Sequence, residues 1–359
     1  MRERSLAITV TGLAVAGAMA LGCTSSSGTT LPGQGGHGAD SGGGQGGTGG
    51  SGLVGGGGSG GGTGGGGGAV ESAVYADTDT DLYKLDPYTF QLTTLGAFDC
   101  IGSGPGQSSS MTDIAVNAQG ELWAVSAASI YRIEVQTPVA HCAQEIPLQN
   151  PSGVRFYALT FAPVGVLDPA KEMLVAGNSA GELWSIDDGG NLALHGNFGN
   201  VPADDGNGNS YNAQNVGKPW ELSGDIVFLA NGDSPIGFAT VRDCPNPPST
   251  SGCSSTDTLI QIDMAALQNA TNTSVTLAVR GQIVQASGCS NPGAGNFGRM
   301  YGIAAWNDKI YGFSHAGMGT IGEISNADGT ACLVQNYADN LWAGAAVTTL
   351  APVIPPPPK

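Results

Sequence analysis

The chain has 359 residues and a formal charge of −17, from 29 acidic and 12 basic residues. Binding to nucleic-acid phosphates requires clustered Lys and Arg, so this balance argues against a nucleic-acid partner. An acidic surface is typical of a soluble, well-solvated protein, and it also attracts cations or basic partners. The length allows two domains or one large all-β domain.

The N-terminal 23 residues have the pattern of an export signal. A basic "MRERS" precedes the apolar "LAITVTGLAVAGAMA", which is too short for a membrane-spanning helix, and "ALGC" ends the segment at Cys23. This pattern resembles the signal peptide and lipobox of bacterial lipoproteins, in which the Cys is lipidated and becomes the first residue of the mature chain. With Thr24 next, the resemblance implies an outer-membrane lipoprotein of a Gram-negative cell. Cleavage nearby by an ordinary secretory route is the alternative.

A glycine-rich segment follows the signal. Of the 60 glycines, 25 lie between Thr24 and Gly68, and such a sequence cannot bury enough apolar surface to offset its ordering entropy. We therefore predict a signal peptide at 1–22 and a lipidated Cys23 with a disordered linker at 23–68. The linker behaves as a tether with a root-mean-square span of about 35 to 40 Å.

The remainder, 69–350, contains a repeated pattern that predicts the fold. Five segments share apolar residues at their first and fourth positions: "LYKLD" (82–86), "IYRIE" (130–134), "LWSID" (183–187), "LIQID" (259–263) and "IGEIS" (321–325). Their spacings of 48, 53, 76 and 62 residues suit a unit of four short strands with variable loops. In the last four units the segment is the third strand, and the first strand is small and apolar, as expected near a crowded axis.

The first unit lacks an inner strand, and the C-terminal "WAGAAVTTL" (342–350) is a strand without a unit of its own. Joining the two closes a ring without an open sheet edge. The sequence therefore predicts an all-β fold with a single β-propeller of five four-stranded blades, closed by the C-terminal strand. Six blades, with strands in the 199–222 segment, and a pair of β-sandwiches are the alternatives. A Pro-rich tail at 351–359 is predicted to be extended and unpaired.

The seven cysteines fit an oxidising compartment. Cys23 is assigned to the anchor, and six remain, at positions 100, 142, 244, 253, 289 and 332. Cys100 and Cys142 are 42 residues apart and Cys289 and Cys332 are 43 apart, which suggests one disulfide in each of two repeats and a third between Cys244 and Cys253. Other connectivities remain open. A zinc site is the competing interpretation, but the sequence has no CxxC.

The segment "DTDTD" places Asp77, Asp79 and Asp81 two residues apart. An EF-hand loop starting at Asp77 requires Gly at its sixth position and Glu at its twelfth, where this chain has Leu82 and Tyr88. Asp and Thr are also good turn residues because their side chains bond to nearby backbone groups. Two interpretations stay open: a solvated hairpin turn, or a weak Ca²⁺ site formed by the three carboxylates.

A second set of acids, Asp113 and Asp225, occupies the same position in two predicted inner strands. Paired carboxylates at the mouth of a propeller channel can act as general acid and base in hydrolysis. The equivalent positions in two other predicted inner strands are Ala158 and Gly302, so these strands supply no third inward acid. An Asp that bonds to the preceding loop is the structural alternative.

We expect a monomeric cell-envelope lipoprotein whose tethered propeller is a non-enzymatic binding or scaffold module for a protein or glycan partner. The alternative is a Ca²⁺-assisted hydrolase or lactonase that uses Asp113 and Asp225.

Overall fold

A computed structural model describes residues 73–102, 104, 107–151, 154–232, 234–249, 251–269, 272–291, 297–355 and 357–359. The predicted signal peptide, Cys23 and the linker up to residue 68 lie outside the described residues. No helix in the described part is long and apolar enough to cross a membrane.

Twenty strands and one short helix, α1 (Met264–Gln268), are found in the described residues. The strands are β1 (Val74–Thr78), β2 (Asp81–Leu85), β3 (Leu92–Phe98), β4 (Met111–Val116), β5 (Leu122–Ser126), β6 (Ser129–Gln136), β7 (Val139–Pro147), β8 (Phe156–Ala162), β9 (Met173–Asn178), β10 (Glu182–Ile186), β11 (Leu192–Asn197), β12 (Trp220–Leu229), β13 (Ile236–Asp243), β14 (Thr258–Ile262), β15 (Thr276–Gln282), β16 (Met300–Trp306), β17 (Lys309–Ser314), β18 (Thr320–Ile324), β19 (Ala331–Asn336) and β20 (Trp342–Ala346). Three four-stranded sheets contain β8 to β11, β12 to β15 and β16 to β19 in chain order. The remaining eight strands form one sheet in the order β20-β1-β2-β3-β7-β6-β5-β4. The predicted all-β class is confirmed.

The eight-stranded sheet consists of two antiparallel four-stranded halves joined by a short parallel contact. Only Ala97 with Val139 and Phe98 with Ala140 pair between β3 and β7. Gly96 permits this approach, because a Cβ at that position would lie 2.1 Å from the carbonyl oxygen of Pro138. The prediction of five separate four-stranded sheets therefore differs from the observed sheets at this junction.

The C-terminal strand β20 pairs with β1 in an antiparallel register that sets Gly344 opposite Asp77. The small-residue strands β4, β8, β12, β16 and β20 contact one another in that order, and β20 contacts β4 in turn. Small residues make this possible, since a Cβ on Gly302 would lie 2.6 Å from the backbone nitrogen of Ala345. We call these five the inner strands.

The hydrophobic core lies between neighbouring sheets. One cluster joins β8 to β11 with β12 to β15 and includes Val175, Leu183 and Leu222. Another joins β4 to β7 with β8 to β11. This arrangement follows from strands that are buried on both faces, as β12 is over its whole length.

Two further expectations can be compared with the structure. The residues between β11 and β12, all described, contain only isolated β-bridges and no strand. The 199–222 segment therefore does not supply the extra strands that a sixth blade requires. The expectation that the tail is unpaired is wrong at one point, because Val353 forms a parallel bridge with Asp308. The tail is held further by Lys359, whose Nζ donates to the carbonyl oxygens of Asp205, Val279 and Arg280. A Pro-rich segment lacks many backbone N–H donors, but its carbonyl oxygens can still accept hydrogen bonds. Those of Pro352 and Pro357 accept from Asp308 and Arg280.

The cysteines pair as Cys100 with Cys142, Cys244 with Cys253 and Cys289 with Cys332. The first and third pairs are those that the repeat spacing predicts, and the second is the predicted third disulfide, within a loop.

Candidate functional site

Each inner strand carries a bulge or irregularity in its register at the equivalent place. In β4, Met111 pairs with Ser126 and Asp113 with Val125, which leaves Thr112 as the extra residue. The extra residue is Tyr157 in β8, Tyr301 in β16 and Ala343 in β20, and in β12 the register shifts between Leu222 and Ile226, across Gly224. A β-bulge redirects the side chains next to it, so the same local irregularity is repeated five times around the ring.

These residues line one cavity of about 370 Å³, which we call the mouth. Its walls include Thr112, Tyr157, Gly224, Tyr301 and Ala343. Because each of these belongs to a different inner strand, the mouth lies where the five strands converge. Cavities of about this size that are partly apolar and carry a few fixed polar groups are typical ligand sites.

Aromatic rings form part of the wall of the mouth. Tyr157 is half-buried, and the guanidinium of Arg155 lies 5.7 Å from its ring centroid. Tyr301 stacks on His315 with ring centroids 4.7 Å apart. His315 is fixed in turn by a hydrogen bond between its Nδ1 and the carbonyl oxygen of Trp342, 2.8 Å away. Tyr301 is thus held in position before any ligand binds, and the ring of Tyr157 lies beside an exposed guanidinium.

The charged groups of the mouth compensate each other. Arg242 forms an ion pair with Glu221, whose side chain is only 2% exposed. The other carboxylate oxygen of Glu221 accepts a hydrogen bond of 2.8 Å from the amide of Ser249. The mouth therefore contains hydroxyl groups, aromatic faces and an ion pair. The opposite charges of Arg242 and Glu221 cancel within this pair.

A second groove of about 580 Å³ lies beside the mouth and shares Arg242 with it. Its wall contains Asp257, which is fully buried and accepts hydrogen bonds from Ser223 Oγ (2.6 Å) and the Met300 amide (2.7 Å). Burial raises the pKa of Asp257 to about 6, although these hydrogen bonds and the nearby Arg242 oppose the shift.

Asp113 and Asp225 lie at the predicted equivalent positions of two inner strands: Asp113 follows the bulge of β4, and Asp225 lies within the irregular stretch of β12. Neither has any exposed surface. Asp113 Oδ2 accepts a hydrogen bond of 2.5 Å from the Leu159 amide on the next inner strand. Asp225 Oδ2 accepts one of 2.7 Å from the Ile303 amide, also on the next inner strand. A general acid must reach the atom it protonates. The geometry therefore supports a role in joining inner strands, and it gives no support to contact with a substrate.

Asp77 is the one acid of the "DTDTD" segment that the fold buries. It lies in β1 rather than in the turn, it is fully buried, and neither carboxylate oxygen has a hydrogen-bond partner among the described residues. Gly344, opposite Asp77 on β20, has no side chain and so leaves space for the Asp77 carboxylate. A Cβ on Gly344 would lie 2.7 Å from Asp77 Oδ1 and 1.9 Å from Asp113 Oδ1, so both oxygens point at the same spot.

All three acids have raised pKa values, and a hydrogen bond between the Asp113 and Asp225 side chains raises the pKa of Asp113 and lowers that of Asp225. Burial is the largest cause for each of them. The pKa of Asp225 is raised to about 8, and the pKa values of Asp77 and Asp113 are also raised, with the charge of Asp225 adding to burial in both cases. We call Asp77, Asp113 and Asp225 the axial carboxylates.

The other residues of the proposed "DTDTD" calcium site are separated from Asp77. Asp79 is exposed in the turn between β1 and β2, and Asp81 is partly exposed at the start of β2. Thr78 Oγ1 accepts a hydrogen bond of 3.2 Å from the Asp81 amide, as expected of a polar hairpin turn. Alternation in a strand turns Asp77 inward and leaves the turn residues in solvent.

Two other groups of potential metal-ligand atoms occur in the described residues. They are Asp99 with Cys100 and Cys142, and Glu221 with Cys244 and Cys253. In both groups the two sulfurs are joined in a disulfide. They are not thiolates, the form in which Cys binds metals.

Comparison with known proteins gives similarity of fold only. No family model and no curated protein matches the sequence. Solved structures that match include a protein of unknown function from Bacteroides caccae (9% identity, TM-score 0.37, covering 77% of this chain and 98% of that one). A nidogen/laminin complex matches at 7% identity and a TM-score of 0.41, covering 77% and 98% of the two chains. The Dos1 propeller matches at 11% identity and a TM-score of 0.34, covering 75% and 69%. The all-β class rests on the strands of this chain itself, and one of these neighbours is described as a propeller.

Proposed function

We propose that the folded part is a five-bladed β-propeller. In this interpretation the two halves of the eight-stranded sheet are separate blades, and β20 completes the first of them. The recurrence of the bulge in all five inner strands supports it, as does the closed cycle of contacts between those strands.

The propeller is the binding domain of a cell-envelope lipoprotein of the outer membrane. The six cysteines in disulfides leave Cys23 as the one outside them, in agreement with its place at the end of the lipobox-like segment. Disulfides are typical of exported proteins. A lipid on Cys23 would hold the protein at the membrane, and the glycine-rich linker would let the propeller move away from the headgroups.

The function is non-enzymatic binding of a ligand at the mouth. The observation that carries this proposal is the convergence of five bulged inner strands on one cavity that is lined by two tyrosines. Bulges are enriched next to functional sites because they aim side chains that a regular strand would direct elsewhere.

The ligand class that fits best is a glycan. Tyrosine faces supply large amphipathic contact area. The hydroxyls of Thr112, Ser223 and Ser249 donate their protons within the protein, so their oxygens are left as acceptors for the hydroxyl groups of an uncharged polar ligand. The ion pair of Arg242 and Glu221 is already satisfied internally, so it supplies oriented polar atoms more than net charge.

A glycan array tests this proposal, using the full chain with Cys23→Ser so that the protein is soluble. We expect a subset of glycans to bind, and Tyr157→Ala or Tyr301→Ala to weaken binding by at least about tenfold, the usual effect of removing an aromatic hot spot. Tyr88→Ala is the matched control, because Tyr88 is 72% exposed and is not among the residues of the mouth. Glycan binding that survives both mouth substitutions would refute the site, and binding to envelope proteins alone would refute the glycan class.

A further inference from the structure

Arg299 is an exposed cation in the wall of the second groove, next to the mouth. The ion pairs found in the described residues do not include its guanidinium, whereas they pair four other cations with carboxylates: Arg132, Lys171, Arg242 and Lys309. The chain has 29 acidic and 12 basic residues, so carboxylates are plentiful. An arginine that is left without a carboxylate beside a cavity is available to a ligand.

The sequence around the mouth tyrosines is repeated. "RFY" (155–157) and "RMY" (299–301) place an arginine two residues before the tyrosine at the start of β8 and of β16. Arg155 is exposed like Arg299, and it too lies outside the ion pairs found in the described part of the chain. Both β8 and β16 contact β12, so the two arginines precede inner strands on either side of it. The face around the mouth therefore attracts anions, although the protein as a whole is acidic.

The backbone of Arg299 is held by residues of the mouth region. Its φ is +54°, in the left-handed region that costs a residue with a side chain about 1 kcal/mol or more. Its carbonyl oxygen accepts hydrogen bonds from the amides of Tyr301 (2.9 Å) and His315 (2.8 Å), whose rings stack on each other. Strained conformations of this kind cluster at functional sites. Here the same contacts fix the arginine of the groove and the tyrosine of the mouth.

The acids of the groove limit the charge that it accepts. Glu221 already pairs with Arg242. Burial raises the pKa of Asp257, and the charges of Arg242 and Arg299 oppose the shift, although neither guanidinium forms an ion pair with Asp257. The carboxylate of Asp257 repels a second negative charge, so the groove favours a singly charged group over a doubly charged phosphate.

We propose that the glycan is acidic, with an uncharged unit against Tyr157 and Tyr301 in the mouth and the acid group of an adjoining unit bound by Arg299 in the second groove. The acid group is a carboxylate or a sulfate ester, because each carries one charge and offers two oxygens to the planar fork of a guanidinium. A groove of about 580 Å³ accommodates a sugar unit. This inference rests on the proposed glycan function and adds the charge of the ligand.

A glycan array with neutral, uronic-acid and sulfated glycans tests the inference, using the full chain with Cys23→Ser. Acidic glycans should bind more strongly than neutral ones, and methyl esters of the uronic acids should lose the advantage of the free acids. Arg299→Ala should weaken binding of the acidic glycans by about tenfold or more, since a hydrogen bond to a charged group contributes that much. Binding of neutral glycans should be unchanged. Arg132→Ala is the matched control, because it removes the same charge from β6, outside the walls of both cavities.

The outcomes separate this inference from the glycan proposal. A preference for uronic acids or for sulfated glycans that Arg299→Ala removes and Arg132→Ala retains supports the site and identifies the acid group. Equal binding of acidic and neutral glycans, or a preference for acidic glycans that survives Arg299→Ala, overturns the inference and leaves the mouth as the glycan site. No binding to any glycan overturns both. If Arg299→Ala does not fold, Arg299→Gly replaces it, because glycine adopts a positive φ without strain.

Discussion

Trp342 is the residue through which closure of the ring can be tested energetically. Its side chain is fully buried at the start of β20 and makes edge-to-face contacts with Tyr83, Phe313 and Tyr337 at centroid distances of 5.7 to 5.8 Å. Its indole Nε1 donates a hydrogen bond of 3.0 Å to the carbonyl oxygen of Gly319. One side chain therefore joins the C-terminal strand to the first and last four-stranded groups.

Trp342→Ala should lower the free energy of unfolding by about 5 kcal/mol. Truncating a fully buried Trp costs about 3 to 5 kcal/mol, and the aromatic contacts and the unpaired Gly319 carbonyl place this residue at the upper end. Because native domains have only about 5 to 15 kcal/mol of stability, the variant should be close to its unfolding limit.

Equilibrium urea unfolding followed by circular dichroism measures the difference. Trp306→Ala is the control, since Trp306 is only partly buried and its ring contact is to the exposed Tyr88. We expect a loss of about 1 to 2 kcal/mol for the control. Equal losses in the two variants would refute the argument that β20 is held through Trp342.

Three further predictions concern other parts of the chain. Cys23→Ser should move the protein from the membrane to the soluble fraction after cell fractionation, and a variant that stays with membranes would rule out the lipid anchor. Replacing Cys289 and Cys332 by Ser should cost about 4 kcal/mol in urea unfolding, from the entropy of a loop with a sequence separation of 43, and an unchanged midpoint would refute that disulfide. For Asp257, the folded pKa of about 6 exceeds the ordinary value of 3.8 for this carboxyl, so the folded state binds the proton more tightly and stability falls as pH rises between these values. Asp257→Asn should abolish this loss, which is about 3 kcal/mol, and identical pH profiles for both proteins would show that burial does not perturb this group.

Much of the architecture was predictable because it is repeated. The "LYKLD"-type segments become β2, β6, β10, β14 and β18, each third in its group once β20 is counted in the first. Closure by 342–350 follows from counting the predicted strands, because the first unit lacks its inner strand and the segment 342–350 is a strand that belongs to no other unit. The joining of β3 to β7 was not predictable, because it depends on Gly96 allowing a close approach to Pro138 that no periodicity encodes.

The candidate site was predictable only in part. Asp113 and Asp225 were found from their equivalent positions, but burial changes the chemistry they can support. The "DTDTD" segment predicts a solvated turn or a calcium loop, and neither interpretation places the carboxylate of Asp77 in the interior. The position of Asp77 at the end of a strand is the signal that could have shown its burial. Ala76 and Asp77 are both buried in β1, and β20 pairs with β1 there, with Gly344 opposite Asp77. Tyr157 and Tyr301 of the mouth immediately precede Ala158 and Gly302, the positions equivalent to Asp113 and Asp225. Extending that comparison by one residue would have found both tyrosines.

The most direct test of the central claim is a crystal structure of the protein with the glycan that binds most strongly in the array. The account predicts that the glycan occupies the mouth, contacts Tyr157 and Tyr301, and touches several of the five bulged inner strands. A glycan bound instead to an outer strand or to the 199–219 segment, with the mouth empty, would contradict it.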